Sequence, residues 1–137
     1  MGYFKFFETK YGNYLYVIFR IGIGALFFMY GVQKLFGLWG MPGGPAAFGT
    51  LVWYAGAAEF LIGLALIIGV LTRLASFFGV IEMLVAYIIG HALVGGWNPA
   101  VNQGAPALMF MFAFLATLAF GARKASLEQA VFKKEFF

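Results

Sequence analysis

Five ionisable side chains lie within stretches that are otherwise almost entirely apolar, and these five are the candidates for chemistry. Glu59 and Glu82 are carboxylates, Arg20 and Lys34 are cations, and His91 is the single histidine of the chain. A charge inside a bilayer is costly unless it is paired, protonated or turned toward a polar cavity. These residues are therefore predicted to bind a polar ligand or relay protons. The alternative is that they form ion pairs that only fix helix packing.

The composition indicates a membrane protein. Hydrophobic residues make up 64% of the 137 residues and charged residues 10%, so the chain has too little polar material to cover a soluble surface. We predict an integral membrane protein with one domain. Because the chain has no cysteine and one histidine, we predict no metal site and no tightly bound cofactor. The net charge of +4 is spread over ends and turns, which suits anionic lipid and not nucleic acid.

Four apolar blocks are long enough to cross a bilayer as helices. A span needs about 20 residues to cross a hydrocarbon core of about 30 Å, and lipid tolerates helices but no open sheet edge. The expected fold is all-α, an integral membrane bundle of four antiparallel helices. The expected spans are residues 14–36, 51–71, 74–94 and 104–121, and the ends 1–13 and 126–137 are expected to lie in the interface, the latter with Ser126 as a helix cap.

The basic residues predict the orientation of this bundle. Four spans place both termini on the same side as the two-residue turn Thr72-Arg73, and most of the basic residues lie on that side. Lys34 stands alone on the other side. The positive-inside rule therefore places both termini in the cytoplasm. The three tryptophans fall on the opposite side, where an aromatic belt is expected: Trp39, Trp53 and Trp97.

Helical spacing predicts that the first two spans pack closely. Each carries a stripe of glycines beside a charged residue, and small residues let two helix backbones approach each other. The two stripes are therefore expected to face each other inside the bundle. The first contains Arg20, Gly24, Phe27, Gly31 and Lys34, and the second contains Gly56, Glu59 and Gly63.

The depths of the charged residues predict which of them meet. With a rise of about 1.5 Å per residue, Arg20 is expected to reach Glu82 directly or Glu59 by stretching. Lys34 or His91 is expected to approach Glu59 from the other end. Glu82 and His91 are nine residues apart, which turns them to opposite sides of a regular α-helix. They line one narrow pocket only if the helix is kinked or the pocket is wide.

These polar positions and their neighbours resemble the DoxX family of small four-helix membrane proteins. The matching motifs follow one another along nearly the whole chain: Arg20-Ile-Gly-Ile-Gly24, Tyr30-Gly-Val-Gln-Lys34, Glu59-Phe-Leu-Ile-Gly63, Gly69-Val-Leu-Thr-Arg73, Met83-Leu-Val-Ala86 and Asn102-Gln-Gly104. The resemblance implies a prokaryotic cytoplasmic membrane and a link to the membrane subunit of thiosulfate:quinone oxidoreductase. It also implies that Arg20, Lys34, Glu59 and His91 are the recurrent polar positions of the family. One departure is Ala105, near which the family often has a glutamate.

Three functions remain open. The first is an accessory, quinone- or redox-associated subunit, in which the buried charges bind a dissociable quinone or lipid, or relay a proton, while a partner supplies electrons. Such a subunit would not be catalytic alone. The second is a non-enzymatic membrane scaffold, and the third is a small-solute transporter, which with four spans would need to oligomerise. The expected partners are membrane lipids, other membrane or membrane-associated subunits, and further copies of the chain.

Overall fold

The regular structure in the described part of the chain is helical throughout. This computed structural model describes the backbone of residues 2–133 and the side chains of residues 11–131 and 133. Within that range no strand is present, as the all-α prediction requires. The helices are α1 (Gly2–Phe36), α2 (Leu51–Ile68), α3 (Thr72–Tyr87), a π-helical turn (Ile88–Ala92), α4 (Leu93–Gly95), α5 (Ala105–Phe120) and α6 (Leu127–Phe132).

Three helical stretches of the described residues are long and apolar enough to cross a membrane. They are Tyr11–Phe36, Leu51–Ile68 and Thr72–Gly95. Large apolar side chains cover their outer faces; Ile18 and Leu61, for example, are 67% and 64% exposed. A soluble protein would bury such surfaces, whereas lipid covers them in a membrane. Helix α5 is also apolar, but its 16 residues extend only about 24 Å.

The turn between α2 and α3 lies earlier than predicted. Helix α2 ends at Ile68 and α3 begins at Thr72, so residues 69–71 form the turn and Thr72-Arg73 is the start of a helix. Gly69 ends α2 in the left-handed conformation, with φ of 70°. A glycine adopts this conformation without a Cβ clash. The difference arises because the glycine cap stops α2 before its apolar sequence ends.

Helices α1 and α2 pack with their backbones in close approach. A Cβ at Gly31 would lie 2.7 Å from the carbonyl oxygen of Gly56, and a Cβ at Gly63 would lie 2.7 Å from that of Gly24. Both distances are too short for any side chain, so this interface requires glycine. The prediction that the two glycine stripes face each other is confirmed.

We expect Gly31→Ala to destabilise the protein by about 1 to 3 kcal/mol, as overpacking does. The added methyl would press on the α2 backbone, which cannot rotate away. Gly22 lies on the same helix, and a Cβ added there would have nothing within 4 Å, so Gly22→Ala is the matched control. It should be neutral or stabilise by up to about 1 kcal/mol through helix propensity. Chemical unfolding of both variants in nanodiscs measures the difference, and equal effects would contradict the close approach.

Helices α3 and α5 pack through two hydroxyls and an aromatic ring. The hydroxyl oxygens of Ser76 and Thr117 are hydrogen-bonded at 2.6 Å, and Gly79 leaves the space that the ring of Phe114 occupies. Phe114 also contacts Phe27 of α1 edge-on, with ring centroids 4.7 Å apart. Away from such ring contacts α1 meets α5 over a short stretch, much shorter than its contact with α2. A seam therefore remains between α1 and α5.

The segment after α5 folds back over one end of the helices. Ser126 begins α6, and its hydroxyl accepts a hydrogen bond from the Gln129 backbone N–H at 3.2 Å, so the predicted cap is confirmed. The buried carboxylate of Glu128 accepts a hydrogen bond from the Leu71 N–H at 2.8 Å. This bond attaches α6 to the turn between α2 and α3. The predicted interfacial ends lie partly outside the described residues, at residues 134–137 and at the side chains of residues 1–10.

Candidate functional site

Lys34 and Glu59 form an ion pair inside the packed helices. Lys34 lies in the last turn of α1 and donates a hydrogen bond from Nζ to Oε1 of Glu59, in the middle of α2. Glu59 is only 3% exposed. Gly56 makes the pair possible, because a Cβ there would lie 2.8 Å from the Cβ of Lys34. The sequence left open whether Lys34 or His91 approaches Glu59 from this end, and the structure shows that Lys34 does.

Glu82 lies near this pair without a hydrogen bond of its own. Both of its carboxylate oxygens are buried, and among the described residues neither has a hydrogen-bond partner; the same holds for Oε2 of Glu59. Glu82 is within electrostatic range of Glu59 and Lys34. A buried polar atom without a partner loses its hydration with no compensation. The site therefore holds buried acceptor atoms that a proton or a donor group of a ligand would satisfy.

A π-helical turn brings His91 onto the same side as Glu82. His91 lies within Ile88–Ala92, where the α-helix gives way to π geometry. A π-helix places more residues in each turn than an α-helix, so the side chains after it are rotated relative to those before it. Both residues consequently line one cavity. The sequence placed them on opposite sides of a regular α-helix, so that they would share a pocket only if the helix were kinked or the pocket wide. The structure has a π-helical turn at this point.

The ring of His91 is held in one orientation by the loop that precedes α5. Its Nδ1 lies 3.0 Å from the carbonyl oxygen of Asn102. Because a carbonyl oxygen only accepts hydrogen bonds, Nδ1 carries the hydrogen and Nε2 is the acceptor of the neutral ring. The Asn102 side chain in turn donates to the carbonyl oxygen of Gly96 at 2.7 Å. The loop thereby fixes the acceptor nitrogen of His91.

Two cavities meet at this cluster. The inner cavity has a volume of about 250 Å³ and the side cavity a volume of about 470 Å³. Lys34, Ala86 and His91 line both, whereas Glu59 faces the inner cavity and Glu82 the side cavity. Their other walls are mainly apolar. Small-molecule sites typically have such volumes and combine apolar walls with a few convergent polar groups.

Two further polar residues line the inner cavity that the sequence did not single out as candidates. They are Tyr30 and Gln103. Tyr30 precedes Lys34 by one helical turn, and Gln103 belongs to the Asn102-Gln-Gly104 motif, so both could have been found from spacing and motif. In the described part of the chain, no three His, Asp or Glu side chains are grouped as metal ligands would be. The arrangement is suited to hydrogen bonding and proton transfer.

Arg20 lies away from this cluster, and its predicted pairing with Glu59 or Glu82 is wrong. It is completely buried. Its guanidinium donates to the carbonyl oxygens of Ala122 at 2.5 Å and Ala125 at 2.7 Å. The physical reason is the return of residues 121–126 over this end of the helices, which brings carbonyl groups within reach of the arginine. Arg20 thus fixes the chain segment after α5.

Comparisons with known proteins agree with the sequence motifs. The DoxX family model matches residues 15–92, which include all the residues of the cluster. A relative from Haemophilus influenzae, described as an uncharacterized protein, is 33% identical over 129 residues. These residues make up 91% of this chain and 96% of the relative. No solved structure matches the chain.

Proposed function

Because the chain belongs to the DoxX family of membrane proteins, we propose that it is an accessory subunit that binds a quinone for a membrane redox complex. The observation that carries the proposal is the Lys34–Glu59 pair on the wall between two mainly apolar cavities, with Glu82 and His91 beside it. A quinone accepts hydrogen bonds at its carbonyl oxygens, and a quinol donates them from its hydroxyls. Lys34 is a donor, while Glu82 and Nε2 of His91 are acceptors. The cluster therefore has a partner for both redox forms.

The chain's own contribution is the handling of protons. Reduction of a quinone to a quinol takes up two electrons and two protons, and in our proposal a partner protein supplies the electrons. Glu82, whose carboxyl oxygens are buried and unbonded among the described residues, and the acceptor nitrogen of His91 are placed to pass protons to or from the headgroup. The chain is thus not catalytic alone.

We expect Glu82→Gln to weaken quinol binding by up to about tenfold, because a typical hydrogen bond contributes about 0.5 to 1.5 kcal/mol. Glu128→Gln is the matched control, since it also changes a buried glutamate but lies at the α6 end. The measurement is the quinol dissociation constant of each purified variant in nanodiscs. If Glu82→Gln has the same quinol dissociation constant as the wild type, the proposal is wrong.

We propose further that α5 completes a four-helix antiparallel bundle in the cytoplasmic membrane, with both termini in the cytoplasm. The basic residues Arg73, Arg123 and Lys124 lie on the side of Arg20, which favours that side as the cytoplasmic one. Because the chain has no cysteine, single cysteines report the topology directly. An impermeant maleimide added to intact cells should label Ala100→Cys and spare Lys124→Cys. The reverse pattern would invert the orientation.

A non-enzymatic scaffold is the second candidate function. It is favoured by Arg20 and Glu128, two buried charged residues whose contacts with Ala122, Ala125 and Leu71 fix chain segments in place. A scaffold must remain attached to other subunits. Isolation of the untagged protein as a lone monomer on a native gel would count against this function.

A further inference from the structure

We propose that the ligand is an amphiphile with a long hydrocarbon tail, that its head lies where the two cavities meet at Lys34 and His91, and that the tail leaves through the seam between α1 and α5. This inference rests on the proposed function, because it names the class of quinone that the same site would bind. A quinone whose ring carries a polyisoprenoid or alkyl tail fits the description, whereas a water-soluble quinone does not.

An apolar groove runs along the seam. It has a volume of about 520 Å³ and is lined by Phe19, Ile23 and Leu26 of α1 and by α5 side chains that include Pro106, Met109 and Ala116. Among the described residues, none that lines it is charged. The α5 side of the groove runs from Pro106 to Ala116, which is ten helical steps or about 15 Å of helix. This is the shape and chemistry of a site for an extended hydrocarbon chain.

The groove and the inner cavity share part of their walls. Pro106 and Phe110 line both. The inner cavity on one side of these two residues is also lined by Lys34, Glu59 and His91. The apolar groove lies on their other side. Between the inner cavity and the seam, the Phe110 ring contacts Phe27 and Tyr30 of α1. A molecule with its ring beside Lys34 therefore enters the seam by displacing the Phe110 ring.

The direction of this path agrees with that of a lipid. Along α1 the polar end of the site is at Lys34, two residues before the helix ends, and the groove continues through Leu26 and Ile23 toward Phe19. The distance from Lys34 to Phe19 is about 22 Å along the helix axis. A polar head near the end of a membrane helix with a tail parallel to the axis is the orientation of a membrane lipid.

The groove contributes more to how the ligand reaches the cluster than to the free energy with which the ligand binds. A tail that moves from bilayer lipid into an apolar groove exchanges one hydrocarbon environment for another, so little hydrophobic free energy is gained. The open seam instead allows the head to reach the buried cluster while the tail stays at membrane depth. Closing the seam should therefore exclude tailed ligands and leave a headgroup-only ligand unaffected.

The test compares two ligands on matched variants in nanodiscs. The ligands are a long-tailed quinone and its tailless methyl analogue. Ala116→Phe and Met109→Trp each place a bulky ring in the groove, Leu115→Phe adds the same ring on the neighbouring exposed surface outside it, and Ala55→Phe fills the side cavity. Gel filtration of each variant checks that it is folded, and Met109→Trp keeps the test valid if Ala116→Phe does not fold.

We expect Ala116→Phe and Met109→Trp to weaken binding of the tailed quinone by about tenfold, equivalent to about 1.4 kcal/mol, with the tailless analogue unchanged. Leu115→Phe should change neither. If both ligands bind the wild type and the groove variants weaken neither, the groove holds only phospholipid and the inference is overturned. Selective weakening of the tailed ligand by Ala55→Phe would overturn it as well, by placing the tail in the side cavity. If neither ligand binds the wild type, both the proposed function and this inference fail.

Discussion

Replacing Lys34 with methionine is expected to destabilise the protein by about 3 to 5 kcal/mol, the cost of leaving one partner of a buried ion pair without its counter-charge. Glu59 is 3% exposed and sits in the middle of α2, so its carboxylate cannot reach water without unpacking the helix. Lys34 differs, because its side chain is 26% exposed and lies near a helix end. A lysine in this position can extend its ammonium to the interface.

The two single variants should therefore lose different amounts of stability. Glu59→Met is expected to be less destabilising than Lys34→Met, and the double variant Lys34→Met/Glu59→Met should recover most of the stability lost in Lys34→Met. Replacement of a buried pair by apolar side chains is often neutral. Chemical unfolding of the four proteins in nanodiscs gives the complete cycle. Additive losses in the double variant would show that Lys34 and Glu59 do not stabilise each other.

Replacing Arg20 with methionine should cause a loss of similar size through a different mechanism. The variant removes two charge-assisted hydrogen bonds, to Ala122 and Ala125, each of which contributes about 1.5 to 3 kcal/mol. The total is about 3 to 6 kcal/mol, and the effect should be concentrated in the segment after α5. Arg20→Lys should recover part of the loss, because an ammonium does not reproduce the planar fork of a guanidinium.

Limited proteolysis measures this prediction directly. Cleavage between residues 121 and 133 should become much faster in Arg20→Met, while the dissociation constant for the quinone changes little, since Arg20 lies away from the cluster. Lys124→Met is the matched control, because it removes an exposed cation from the same end. Weaker quinone binding together with an unaltered cleavage rate would place Arg20 in the site after all.

The part of the fold that follows from local spacing could be predicted from the sequence. The glycine stripes of α1 and α2 have a helical period, which predicted that the two faces meet, and the structure adds the register that places Gly31 against Gly56. The pairing of Lys34 with Glu59 was one of the alternatives that the sequence left open. The candidate set therefore contained the four residues that the structure brings together: Lys34, Glu59, Glu82 and His91.

What could not be predicted depends on contacts between segments distant in the chain. Arg20 meets the carbonyl oxygens of residues more than a hundred positions away, and no periodicity signals that a segment folds back. The π-helical turn at His91 is similar, because a single extra residue in a helical turn leaves the hydrophobic pattern almost unchanged. His91 of this turn lines both cavities, so their shapes and shared walls required the structure.

In the proposed function, a quinone headgroup lies against Lys34 and His91 inside the helices. The most direct test is photocrosslinking in nanodiscs with a quinone that carries an azide on its ring, followed by mass spectrometry of the labelled peptides. We expect labelling of the segments around Lys34 and His91, and we expect excess unlabelled quinone to abolish it. Labels spread over the lipid-facing residues of α1 and α3, with no competition by unlabelled quinone, would contradict the claim.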